Sequence, residues 1–133
     1  MQTAELSIST KRRTQLVPIE VEIAGLVAQH GWREGILTVF VPHTTAGVTI
    51  NENADPDVAR DMEWFSDRLV PKNPDFKHAE GNSDAHLKTS FYGSSLQVIV
   101  RDGRLWLGTW QGIYFCEFDG PRQRKVYAAF TAG

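Results

Sequence analysis

Only one cysteine, Cys116, occurs among the 133 residues, so no disulfide can form within the chain and a reducing compartment is expected. No stretch approaches the roughly 20 consecutive apolar residues that span a bilayer. The opening MQTAELSISTKRRT lacks the apolar core of a secretion signal, so the expectation is a cytoplasmic location with no membrane partner. Charge of one sign is also missing. Fourteen basic residues against sixteen acidic ones leave a net charge of -2, which gives no electrostatic footprint for nucleic acid. There is no internal repeat or low-complexity tract, so residues 1–133 read as one domain. The length excludes a (β/α)8 barrel, which takes about 250 residues, yet it suffices to bury a core without a metal or disulfide.

The patterning that remains is that of an α+β domain, mostly antiparallel sheet with about three helices. Residues 4–9 and 13–17 read as short strands around the basic turn Lys11-Arg12-Arg13. Pro18 suits a first helical turn, Ile19, Ile23, Leu26 and Val27 follow helical spacing, and Gly31 is a stop. His30 at that helix end favours the dipole. Residues 35–41, GILTVFV, form a buried strand ended by Pro42, and 47–51 return as its hairpin partner. Asp55 caps a second helix with Pro56 in its first turn, and Val58, Met62, Phe65 and Leu69 make its apolar stripe. A long aperiodic loop, 71–83, leads to a short helix at 84–92. The rest reads as a C-terminal β-meander: 95–101, 104–118 and 123–131, joined by Asp102-Gly103 and Asp119-Gly120.

Three histidines stand in loops or caps, where chemistry is commonly housed. His43 follows Pro42 at a turn that structure alone would fill with Asn, Asp or Gly. His78 lies in the long loop, eight residues before His86. Three neutral imidazoles make a zinc-type ligand set with a position open to water or substrate. Glu52 and Glu80 are candidates for a fourth ligand or for orienting a ring. The spacing matches no established zinc pattern, and a solvated loop is the ordinary fate of any one of these residues. Arg122 and Arg124, two apart on a strand, are placed to grip a phosphate or carboxylate together. The plainer reading pairs them with Glu117 across strands. Lys88 and Ser90 are weaker anion candidates on a helix face. Trp106 and Trp110 read as core or interface aromatics, and Cys116 as a small buried hydrophobe.

Four blocks in order carry a resemblance: His43-Thr44-Thr45-Ala46; Asn51-Glu52-Asn53-x-Asp55-Pro56-x-Val58-x-x-Asp61; His78-x-Glu80-Gly81-Asn82-x-x-Ala85-His86-x-Lys88; and Gly108-Thr109-Trp110-Gln111-x-Ile113 with Glu117-x-Asp119-Gly120-Pro121-Arg122-x-Arg124. The chain resembles the YjbQ family, catalogued as secondary thiamine-phosphate synthase enzymes. The resemblance implies a compact α+β fold assembled as a homotrimer, with sites near subunit interfaces. It implies a site in which His43, His78 and His86 hold a divalent metal, zinc ahead of magnesium. In that site Glu52, Glu80, Asn51 and Gln111 are catalytic candidates, and Thr44, Thr45, Lys88, Arg122 and Arg124 contact phosphate. The implied activity couples an aminopyrimidine diphosphate to a thiazole phosphate, releasing pyrophosphate. Two other readings stand beside it: a zinc hydrolase using a metal-bound water, and a non-catalytic trimeric protein that binds a phosphorylated metabolite.

Overall fold

The computed structural model describes residues 1–133. In chain order the elements are β1 (Gln2–Ser9), β2 (Gln15–Pro18), α1 (Glu20–Gln29), β3 (Gly35–Phe40), β4 (Ala46–Glu52), α2 (Pro56–Leu69), α3 (Ser83–Tyr92), β5 (Ser95–Arg101), β6 (Arg104–Leu105), β7 (Gln111–Glu117) and β8 (Gln123–Ala132). Every strand pairing is antiparallel. The α+β expectation with three helices holds, and the strands sort into two sheets. One has five strands in the order β1-β8-β3-β5-β6 and the other has three in the order β2-β7-β4.

Alternation along the strands explains how the two sheets stack. From the large sheet Leu37, Val39, Val98, Val100, Val126 and Ala128 point inward, and from the small sheet Ala46, Val48, Ile113 and Phe115 meet them. Ile19, Ile23, Leu26 and Val27 of α1 and Trp32 close one side of this core. The opposite face of β7 carries Tyr114 and Cys116, which pack with Leu16, Phe118 and Ala85 against Ala59, Met62 and Tyr92 from the helical layer. Strand β7 is thus buried on both faces, which is why its sequence GIYFC reads as one apolar run. Small residues permit the helical layer to come close. A Cβ on Gly47 would lie 2.5 Å from the Gly93 carbonyl oxygen at the end of α3.

Several sequence expectations change. The 35–41 and 47–51 strands are no hairpin: β3 belongs to the large sheet and β4 to the small one, with residues 41–45 crossing between them. The C-terminal meander is divided in the same way. Asp102-Gly103 does close a two-residue hairpin, with φ of 53° and 75° at its two residues, the left-handed pair such a turn demands. Asp119-Gly120 does not close one, because β7 and β8 lie in different sheets. The 104–118 segment breaks at residues 106–110, where the chain leaves the large sheet for the small. Pro18 pairs with Tyr114 in β2 rather than opening α1. On α2 the docked face is Ala59, Met62 and Ser66, while Phe65 and Leu69 of the expected stripe are exposed.

Candidate functional site

Three connections between the sheets fall at the same end of the sandwich: residues 10–14 from β1 to β2, 41–45 from β3 to β4, and 118–122 from β7 to β8. The loop before α3 and the first turns of that helix join them. A cavity of about 620 Å³ lies there, walled by His43, Thr44 and Thr45 of one connection, His78, Glu80 and Asn82 of the loop, His86 of α3, Ser94, and Arg122 and Arg124. The three histidines expected from sequence therefore share one cavity with both arginines.

Beneath the cavity a buried ion pair ties the sheets together. Glu117 points inward from β7, in line with Ile113 and Phe115, and is fully buried. Arg124 points inward from β8 and is 4% exposed. The guanidinium grips both carboxylate oxygens, through Nε to one at 2.8 Å and through Nη2 to the other. The carboxylate also accepts from the Thr10 hydroxyl at 2.8 Å and the Asp119 N–H at 2.9 Å. Burial alone would push the Glu117 carboxyl up, but the hydrogen bonds from Arg124, Asp119 and Thr10 outweigh it and hold the group below its ordinary value. Arg124 Nη2 additionally donates to Thr45 Oγ1 at 2.8 Å, and Nη1 makes no hydrogen bond to protein. Gly120 is required by this packing: a Cβ there would lie 2.8 Å from Glu117 Cγ and 2.4 Å from the Arg12 carbonyl oxygen.

His43 has a defined tautomer. Its Nε2 accepts the Lys125 backbone N–H at 2.9 Å. An N–H can only donate, so Nε2 offers a lone pair and the proton sits on Nδ1. Burial, then the field of Arg124 and that of Arg122, hold the imidazole below its ordinary pKa against a smaller opposing pull from Glu117. His43 is therefore a neutral ring presenting an N–H donor. His78 and His86 differ: their rings meet edge to face with centroids 5.3 Å apart, and neither hydrogen-bonds to protein. Arg122 is anchored to Asp119 through its carbonyl at 2.9 Å and its carboxylate at 3.1 Å. That carboxylate also accepts from Asn82 Nδ2 at 2.8 Å.

The residues present do not fit a three-histidine metal shell. His43 has committed its only lone pair to the backbone, and no three His, Cys, Asp or Glu side chains converge closely enough to hold an ion. Lys88 also lies elsewhere. It is a residue of α3, 3% exposed and buried between Asp67 of α2, at 2.7 Å, and Asp84, at 3.7 Å. Asn51, Glu52 and Gln111 sit at the far end of β4 and β7, where Glu52 and Gln111 are cross-strand partners. Five or six strand steps separate them from the Ala46–Glu117 pair, about 17 to 20 Å. Thr44, Thr45, Glu80, Arg122 and Arg124 do reach the cavity. Sequence reasoning assigned no role to Asn82 and Ser94 on its wall; Asn82 stood in the His78–Lys88 block of the resemblance, and the only signal for Ser94 was its place after the glycine ending α3. The reading of Glu117 as an Arg partner holds, but in the core rather than on an exposed face.

The fold and site together define a class: a small two-sheet α+β domain with a histidine–arginine cavity where its sheets exchange chain. The chain belongs to the YjbQ family, whose model, described as UPF0047 protein YjbQ-like, matches residues 4–133. It is 52% identical over 120 residues to a UPF0047 protein of Methanocaldococcus jannaschii, spanning 90% of this chain and 87% of that one. It is 50% identical to UPF0047 protein YugU of Bacillus subtilis over 92% and 93% of the two chains. Among solved structures, an uncharacterized conserved YjbQ/UPF0047 family protein from Clostridium acetobutylicum is similar at a TM-score of 0.92 and 52% identity, covering 96% and 99% of the two chains. A hypothetical protein from Aeropyrum pernix K1 reaches 0.94 at 37% identity over the whole of both. No helix of the structure is long and apolar enough to cross a membrane.

Proposed function

We propose that the protein is an enzyme that binds a phosphorylated small molecule in the histidine–arginine cavity and acts on it by acid–base chemistry. The observation that carries this reading is the meeting of His43, His78, His86, Arg122 and Arg124 on one cavity. A phosphate there takes charge-assisted hydrogen bonds from Arg122 and from the free Nη1 of Arg124, with His43 Nδ1–H as a neutral donor. Arg124 is already fixed by Glu117 and Thr45, so little reorganisation accompanies binding. His78 and His86, free of protein partners, are the acid and base, since imidazole is well suited to moving protons, and Glu80 stands on the same wall.

Thiamine-phosphate synthesis is the named reaction we attach to this site. A C–N bond forms between the aminopyrimidine methylene and the thiazole nitrogen as the C–O bond to diphosphate breaks, and Arg122 and Arg124 would hold the departing charge. Calorimetric titration with pyrophosphate tests the binding step: saturable binding, weakened at least about tenfold in Arg122→Ala, is expected. No heat from the wild type overturns the reading. Expression in a strain lacking thiamine-phosphate synthase tests the named reaction: growth without thiamine is expected from wild type and not from His43→Ala, no growth from wild type removes the reaction, and equal growth from both removes the role given to His43. Binding of phosphorylated compounds with no turnover would instead favour the metabolite-binding protein.

A zinc-dependent hydrolase is a second reading, for which the His78–His86 pair would supply the only uncommitted imidazole donors, His43 being bound to the backbone. Imidazole donors suit zinc better than magnesium. One equivalent of zinc per chain, lost in His86→Ala and kept in His43→Gln, would establish it. Assembly as a homotrimer completes the proposal. Ile36, Phe40, Ile99 and Tyr127 are exposed on the outer face of the large sheet, and Phe40 borders the cavity. Asn51, Glu52 and Gln111 would then approach a cavity only from a neighbouring copy.

A further inference from the structure

A second, apolar recess of about 440 Å³ opens on the other side of the two unpartnered rings, lined by Phe76, His78, Ser83, His86 and Leu87. His78 and His86 line both spaces, so this edge-to-face pair is a partition with the arginines on one side and Phe76 and Leu87 on the other. The recess carries no acidic side chain, lysine or arginine, whereas the main cavity has two guanidiniums on its wall. Leu87 stays 40% exposed beside it. Phe76 is presented by the loop before α3, with its N–H on the Asn73 carbonyl at 3.1 Å and the Gly81 N–H on the His78 carbonyl at 3.1 Å, and Asn82 at the loop's end donates to Asp119 at 2.8 Å. The sheets do not need Phe76 or Leu87: neither belongs to a core cluster.

We propose that this recess is the other half of the substrate site and takes the aromatic portion of a phosphorylated small molecule whose phosphate lies with Arg122 and Arg124. Polarity changes from charged to apolar across the two rings that the spaces share, which matches an aryl or arylmethyl phosphate, and flat ring walls favour a flat occupant. The ester linkage then passes beside His78 and His86, where an imidazole N–H can donate to its bridging oxygen. This rests on the phosphate-binding reading of the cavity.

Calorimetry with inorganic phosphate, methyl phosphate and phenyl phosphate separates the two halves. Phenyl phosphate is expected to bind about tenfold more tightly than methyl phosphate, the return on roughly 60 Å² of buried apolar surface. Phe76→Ala and Leu87→Ala should each reduce that gain and leave inorganic phosphate binding unchanged. Equal affinity for methyl and phenyl phosphate, or a gain untouched by both variants, overturns the aromatic half alone, as does a recess shown by sedimentation and cross-linking to be covered by a second copy. Failure of all three probes to bind overturns the cavity reading itself.

Discussion

Glu117 and Arg124 show how one residue's chemistry is fixed by its depth. A buried pair stripped of one member leaves a charge that no water can solvate, at a cost of about 3 to 5 kcal/mol. Glu117→Gln should lower unfolding free energy by that amount at pH 7. Arg12→Ala, which breaks the largely exposed Arg12–Glu63 pair, should change it by about 1 kcal/mol or less. Denaturant midpoints compare the two directly. The pH dependence follows from the directions of the shifts. Glu117 is held below its ordinary value, so its contribution is complete above about pH 4.3 and fades as pH falls through the lower folded value. The gap between wild type and Glu117→Gln should therefore narrow in acid. His43 is also held low, in its neutral form. Its share is present above about pH 6.5 and declines as pH drops below that, because only the unfolded chain then gains the proton readily.

At the scale of elements, what sequence reveals is whatever chemistry acts within a few residues. Asp55 accepts the Asp57 N–H at 2.9 Å and Pro56 opens α2, as the residue types require. Asp55→Ala should cost about 1 kcal/mol in chemical unfolding, the usual loss for a missing cap. The hairpin at Asp102-Gly103 was equally legible because two left-handed residues dictate it. Asp119-Gly120 uses the same letters for another purpose: its glycine lets the Arg12 and Glu117 backbones and side chains crowd together, a demand set by strands over a hundred residues apart. Sheet membership is nonlocal in the same way, which hid the division of the meander. The α2 stripe misled because Glu63 turns inward to bind Arg12 and the Leu16 N–H, while Trp64, Phe65 and Leu69 face outward. For the site, residue type and loop position singled out the three histidines, but not His43's prior bond to Lys125 or Lys88's burial against Asp67 of α2.

For the whole molecule, the distribution of exposed apolar side chains supports the proposed assembly. Ile36, Phe40, Ile99 and Tyr127 occupy one sheet face, and Trp64, Phe65, Leu69 and Phe91 lie on the helical layer. Patches of this kind mark interaction surfaces. Sedimentation velocity should give about three times the 14.9 kDa chain mass. Ile99→Lys, remote from the cavity wall, should shift the population toward the single chain. A single-chain mass for the wild type at micromolar concentration would remove the trimer.

Because the cavity walls are the very segments that pass from one sheet to the other, any anion seated among them fastens both layers at once. Such an occupant behaves as a removable cross-link, and its grip is measurable without turnover. At one hundred times its dissociation constant it should add about 2.7 kcal/mol of resistance to unfolding. A melting-temperature screen of phosphorylated compounds would then rank candidate substrates by the heat the protein survives in their presence.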